Sequence, residues 1–206
     1  QRFDWTIAMN AGRVIATGKG SPRAAACVWL EGGAAGFDAS ASFGYVFVLF
    51  EVYASNPTSE TASVWMAKFD TEGGLIGDWT EVLKLATPAG RYINAETMYA
   101  FRRQESVAVV PSLSYGSRSG QRKSLVYFIE VGSGTGALIG APVLLPLPQN
   151  GDYIEAYGFA PGWSGLSWLV PVSVTLSKSP GREEDIFGKK ALVLSVGADA
   201  AHQAVV

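Results

Sequence analysis

SVWMAKFDTEGGLIG, residues 63–77, and SLVYFIEVGSGTGALIG, residues 124–140, share one pattern: an apolar run, a glycine-rich turn and a closing Leu-Ile-Gly. Ser124 follows Ser63 by 61 residues. A repeat of that length, built from short β-prone runs and glycine turns, argues for a modular all-β chain rather than for helices. Residues flanking the two copies extend the pattern. ETMYAF (96–101) and SVAVVPSLSY (106–115) precede the second copy, DASASF (38–43) and YVFVLFEVY (45–53) precede the first, and EAYGF (155–159) with LSWLVPVSVTL (166–176) open a further unit.

Each unit therefore reads as four strands. The third is SVWMAKFD, SLVYFIEV or ALVLSVGAD, and WTIAMN near the start is a fourth copy of it. Turns such as NAGR, DTEGG and GSGTG follow, because a tight hairpin needs residues that accept positive φ. The fourth strand runs through LIGDWTEVLKL or LIGAPVLLPLP. Pro142, Pro146 and Pro148 cannot donate ladder hydrogen bonds, which assigns that strand to a sheet edge.

A small-residue inner strand, two apolar central strands and a proline-tolerant outer strand, repeated about every sixty residues, resemble a β-propeller blade. The resemblance covers nearly the whole chain and is architectural: the GH and WD dipeptides of WD repeats do not recur, nor do the double glycines of kelch repeats. It implies an all-β, propeller-like array of four-stranded antiparallel blades, about three and a half of them. The expected division is an outer hairpin at 1–36 and blades at about 37–95, 96–154 and 155–206. Closed propellers have about four to eight blades, so the expectation is a segment of a larger propeller, completed by further sequence or by another chain.

Composition restricts function more than it names it. With 48% hydrophobic residues and a formal net charge of −2, the chain lacks the basic surface that nucleic acid demands. Its longest apolar run, Tyr45 to Tyr53, is too short to span a membrane as a helix and contains Glu51. Cys27 is the only cysteine, which rules out an intrachain disulfide; in ACVWL it reads as a buried, inert thiol. A sole histidine, His202, excludes a multi-histidine metal site. The start at Gln1 suggests a processed form or a fragment, with an extracytoplasmic or secreted setting as the expectation.

Two apparent nucleotide motifs fail on context. Gly132, Gly134 and Ala137 match a dinucleotide fingerprint, but the prolines that follow preclude the helix it must open, so the segment is a hairpin turn. GRVIATGKG, from Gly12, misses the phosphate-loop spacing and its hydroxyl.

Three sets of residues are candidates for function. Asp38, Glu96 and Glu155 each open an inner strand four or five residues before a phenylalanine. In propeller geometry they would ring the channel mouth, where carboxylates could hold calcium or act as an acid/base pair; the alternative is that each caps a turn or binds the neighbouring blade. The loop SKSPGREEDIFGKK, with Arg182, Glu183, Glu184 and Asp185, is the longest and most charged insertion on the polar loop face. Trp163, in the turn APGWSGL, could stack on a sugar, insert into a protein partner or fold onto the blade edge. Trp65 and Trp168 fall in central strands and belong to the core. No cofactor is expected, calcium excepted. The favoured reading is a non-catalytic binding or assembly module that contacts a protein or glycan partner through the polar loop face. A carboxylate-dependent glycoside hydrolase or lyase is one alternative, and a structural subunit pairing through open blade edges is another.

Overall fold

A computed structural model describes residues 4–9, 13–19, 21–30, 43–52, 61–87, 91–103, 105–117, 122–148, 153–178, 186–197 and 204–205. They form strands and turns with no helix. An N-terminal hairpin pairs β1 (Asp4–Met9) with β2 (Arg13–Lys19). Three antiparallel units follow in chain order. Unit one is the sheet β3 (Ser21–Leu30), β4 (Phe43–Val52), β5 (Thr61–Asp70) and β6 (Leu75–Ala86). Unit two contains β7 (Arg91–Arg102), β8 (Ser106–Ser117), β9 (Arg122–Gly132) and the two-residue edge strand β10 (Val143–Leu144). Unit three contains β11 (Tyr153–Gly158), β13 (Ser167–Ser177), β14 (Ile186–Val196) and β15 (Ala204–Val205), with β12 (Gly162–Ser164) folded back on β13. A single parallel pairing, Tyr153 with Arg122, joins units two and three into one nine-stranded sheet.

Most of this order is the order of the repeat. Among the described residues the outer strands β6 and β10 each have one partner, as their edge assignment requires, and Pro142, Pro146 and Pro148 flank a ladder only two residues long. The GSGTG segment is a turn. The Gly132 N–H donates to the Ala137 carbonyl and Gly136 adopts φ 68°, a conformation that suits glycine.

Unit one departs from the expected division. Its first strand is Ser21–Leu30, a segment the sequence reading places in the outer hairpin. SPRAAACVWL carries little of the apolar alternation that marks a strand, so tertiary pairing with β4 decides its state. DASASF, apart from Phe43, lies outside the described residues.

Strand parity explains how the units pack. Successive side chains point to opposite faces, so each unit presents a front to the unit after it and a back to the unit before. Phe43, Tyr45, Phe47 and Leu49 on the front of unit one share a core with Ile93, Ala95, Val107 and Val109 on the back of unit two. Ala108, Val110, Val126 and Phe128 on the front of unit two share another with Trp168, Val170, Val172 and Val174 on the back of unit three. Burial of these two seams supplies the main drive for stacking, at about 25 cal/mol per Å² of apolar surface.

Cys27 is exposed, contrary to its apolar sequence context. On β3 the even residues Ala24, Ala26, Val28 and Leu30 face the first core, which leaves Ala25, Cys27 and Trp29 pointing away from it.

Candidate functional site

Glu96 owes its position to a backbone irregularity. The β7–β8 register passes from Ala95↔Leu113 to Thr97↔Ser112, so Glu96 is the extra residue of a β-bulge. A bulge re-aims one side chain without ending the strand. The Glu96 carboxylate accepts from the Ser114 hydroxyl at 2.7 Å and from Arg122 Nη2 at 2.6 Å. The other terminal nitrogen of Arg122 lies 3.8 Å from a Glu155 oxygen. Glu96 and Glu155 are thus brought together through one guanidinium supplied by β9. Tyr157, two residues beyond Glu155 on β11, completes the group. Burial raises its phenol pKa first, then the charges of Glu155 and Glu96, while Arg122 lowers it.

Asp38 and the loop residues Arg182, Glu183, Glu184 and Asp185 lie outside the described residues. Among the described residues no three histidine, cysteine or acidic side chains are placed to hold a metal ion. The calcium reading therefore has two of its three carboxylates located, and both share Arg122.

A related arrangement recurs one unit earlier. Between Pro22 and Ala24 the β3–β4 register also shifts, which makes Arg23 the bulged residue. Arg23 grips Glu51 with two nitrogens, at 3.0 and 3.2 Å, and the Glu51 carboxylate accepts the Ala95 N–H at 2.7 Å. Glu51 is 1% exposed, so that carboxylate is a buried link from β4 to the inner strand of the next unit. Ser112 plays the same part between units two and three: its hydroxyl accepts the Gly158 N–H at 2.9 Å. Ser124 accepts the Ala156 N–H and donates to the Ile154 carbonyl. Farther along the seam, Trp168 Nε1 donates to Glu130 at 2.7 Å, and the Tyr45 hydroxyl donates to the Ser133 carbonyl.

Trp163 is both packed and exposed. Its ring centroid is 5.5 Å from that of Phe101 and 6.2 Å from that of Trp168, yet 48% of its surface is open. Around it stand Tyr99, Phe101 and Phe159, also exposed, and Leu166 at 75%. Tyr99 and Phe159 pack at 6.0 Å, so the cluster bridges β7 and the β11–β12 connection. Arg103 fixes the adjoining turn by donating to the Gly165 and Leu166 carbonyls. Arg102 donates to the carbonyl of Trp29, an exposed indole at the end of β3.

Sequence reasoning found Glu96, Glu155 and Trp163 but not Arg122, Ser114, Tyr157, Phe101 or the Arg23–Glu51 pair. The available signal for Glu51 is a charge in the middle of an apolar strand. For the aromatic cluster it is the alternation of Tyr99 and Phe101 at the end of an inner strand. Comparison with protein-family models, curated proteins and solved structures finds no match. No helix among the described residues is long and apolar enough to cross a membrane.

Proposed function

We propose that the chain is a non-catalytic binding module of propeller-like architecture, with the aromatic cluster around Trp163 as its contact surface and a protein or glycan as its partner. The observation that carries this reading is the concentration of Tyr99, Phe101, Phe159, Trp163 and Leu166, all large, apolar and exposed, on one junction between units. Single exposed apolar residues are ordinary; a contiguous group signals an interaction site. Aromatic rings supply large contact areas with few rotors, and their faces suit the C–H face of a sugar as well as a protein pocket. The cluster sits by the turns that join first to second strands in units two and three. The aromatic cluster is the contact surface proposed here, since the loop with Arg182, Glu183, Glu184 and Asp185 lies outside the described residues.

A second reading, a carboxylate-dependent hydrolase or lyase, is favoured by the meeting of Glu96 and Glu155 at one guanidinium, with the Tyr157 phenol under the influence of all three charges. Tryptophan fluorescence separates the two when the protein is titrated with a panel of soluble oligosaccharides and each mixture is then assayed for cleavage. Binding predicts a saturable change that Trp163→Ala abolishes and Glu155→Gln preserves, with the sugars recovered intact. Cleavage lost in Glu155→Gln would support the enzyme instead. For a protein partner, the matching test is loss of a crosslinked complex in Trp163→Ala and its retention in Glu155→Gln.

A further inference from the structure

We propose that the ligand of the aromatic cluster is an acidic glycan, a short oligosaccharide bearing carboxylates, with Arg102 and Arg103 as the groups that select its charge. The inference rests on the binding reading above and adds the ligand's class to it.

The rings stand in two pairs along one strand. Tyr99 and Phe101 are two residues apart on β7, so their side chains leave the same face about 7 Å apart. Each meets a ring from unit three: Phe159 lies 6.0 Å from Tyr99 at an interplanar angle of 35°, and Trp163 lies 5.5 Å from Phe101 at 47°. All four rings are between 38% and 48% exposed, which leaves part of each packed and part open. The strand thus offers two stacking positions in succession.

The extent of this surface favours a small ligand. A large ring side chain carries about 150–250 Å², so the open parts of the four rings and Leu166 come to roughly 500 Å². A stable protein interface takes about 800 Å² from each partner. The patch falls short of that and fits a ligand of a few sugar rings, whose C–H faces stack on aromatic faces.

The charge beside the rings decides the kind of sugar. Arg102 ends β7, and Arg103 follows in a turn closed by its own N–H, which donates to the Ser106 carbonyl at 2.7 Å. Arg102 Nη1 reaches the Trp29 carbonyl of unit one at 3.1 Å, whereas Arg103 Nη2 reaches the Gly165 carbonyl of unit three at 2.9 Å. The two guanidinium groups are therefore held toward opposite neighbours of the strand that carries Phe101. Carbonyl oxygens fix these groups in place without neutralising them. Arg23 and Arg122, by contrast, each meet a carboxylate, at 3.0 and 2.6 Å. Among the described residues no carboxylate pairs with Arg102 or Arg103. Glu105 sets one negative charge against their two, so the turn is positive in a chain whose net charge is −2. Glu130, the buried acid behind it, is taken by the Ser106 hydroxyl and the Trp168 indole. A guanidinium has five N–H donors, and Arg102 and Arg103 spend one and two of them on carbonyls. The remaining donors suit the planar oxygen pair of a carboxylate. Sugar rings on the aromatic pairs and carboxylates on the two arginines use everything this surface presents.

Tryptophan fluorescence titrations test this with oligogalacturonate, oligoalginate, hyaluronan fragments and sialyllactose, each beside its methyl ester. At least one acid should bind about tenfold more tightly than its ester, and only the acid's affinity should fall as salt is added. Arg102→Gln and Arg103→Gln should each remove most of that preference while leaving the ester's affinity unchanged, and Trp163→Ala should abolish both. If Arg103→Gln weakens the ester as well, the turn at Gly165 has moved, and Arg102→Gln alone decides. Arg91→Gln, at the far end of β7, should change nothing. An ester that binds as tightly as its acid, still dependent on Trp163, would overturn the charge assignment and leave the binding reading standing. Trp163-dependent binding of a polyglutamate peptide, with no sugar bound, would overturn the glycan in favour of an acidic protein. No Trp163-dependent binding by any sugar or by the peptide would remove the binding reading and this inference together.

Discussion

Glu51 is the residue on which the packing of unit one depends most. Its buried carboxylate joins the half-exposed Arg23 to the buried Ala95 N–H, and removing it takes the acceptor from that amide while Arg23 turns to water. Glu51→Ala should lower stability by about 1–3 kcal/mol in denaturant unfolding, and Glu51→Gln, which keeps an acceptor for Ala95, should cost less. Tyr45 gives a pH-dependent counterpart. Burial pushes its phenol pKa up to about 12, against 10.0 for the free side chain, so folding favours the protonated form. Below pH 10 both states hold the proton and Tyr45 adds no slope; between about 10 and 12 the unfolded chain ionises first and stability falls as pH rises. Tyr45→Phe should flatten that alkaline decline, measured as the denaturation midpoint against pH, while losing the bond to the Ser133 carbonyl. Arg122 belongs at this scale too. Since its charge lowers the Tyr157 pKa, Arg122→Met should push that phenol higher in an ultraviolet pH titration.

Among the elements, the inner strands have the strictest requirements because each lies on a packed face. Gly158→Ala should destabilise the fold by about 1–3 kcal/mol, the usual range for forcing a methyl into a filled site, whereas Gly162→Ala, with open space around it, should be nearly neutral. Calorimetry on the two variants checks this contrast. The strands themselves were legible where the repeat is strongest: central strands, glycine turns and proline-marked edges all follow from local pattern. Ser21–Leu30 was not legible, because its alanines say little about strand or loop until β4 is beside them. The exposure of Cys27 escaped for the same reason, since parity on a strand cannot be assigned before the strand is found. Glu96 and Glu155 were visible as repeated acids, but the guanidinium that joins them comes from β9. A contact between elements leaves no spacing signal when its members are not repeated.

For the whole molecule, the 61-residue period is a rule of stacking as well as of strand order. Each front face offers a hydrogen-bond acceptor at the same phase, and the next inner strand supplies the N–H. That relation accounts for the two apolar cores, for the glycine at 158 and for the gradation of exposure toward unit three. Residue-resolved amide hydrogen exchange tests it most directly, read at Ala95 and Gly158 in the wild type and in Ser112→Ala. Both amides should be strongly protected in the wild type, and Ser112→Ala should release Gly158 while leaving Ala95 slow. Rapid exchange at both positions in the wild type, or a Gly158 amide indifferent to the loss of the Ser112 hydroxyl, would contradict the account.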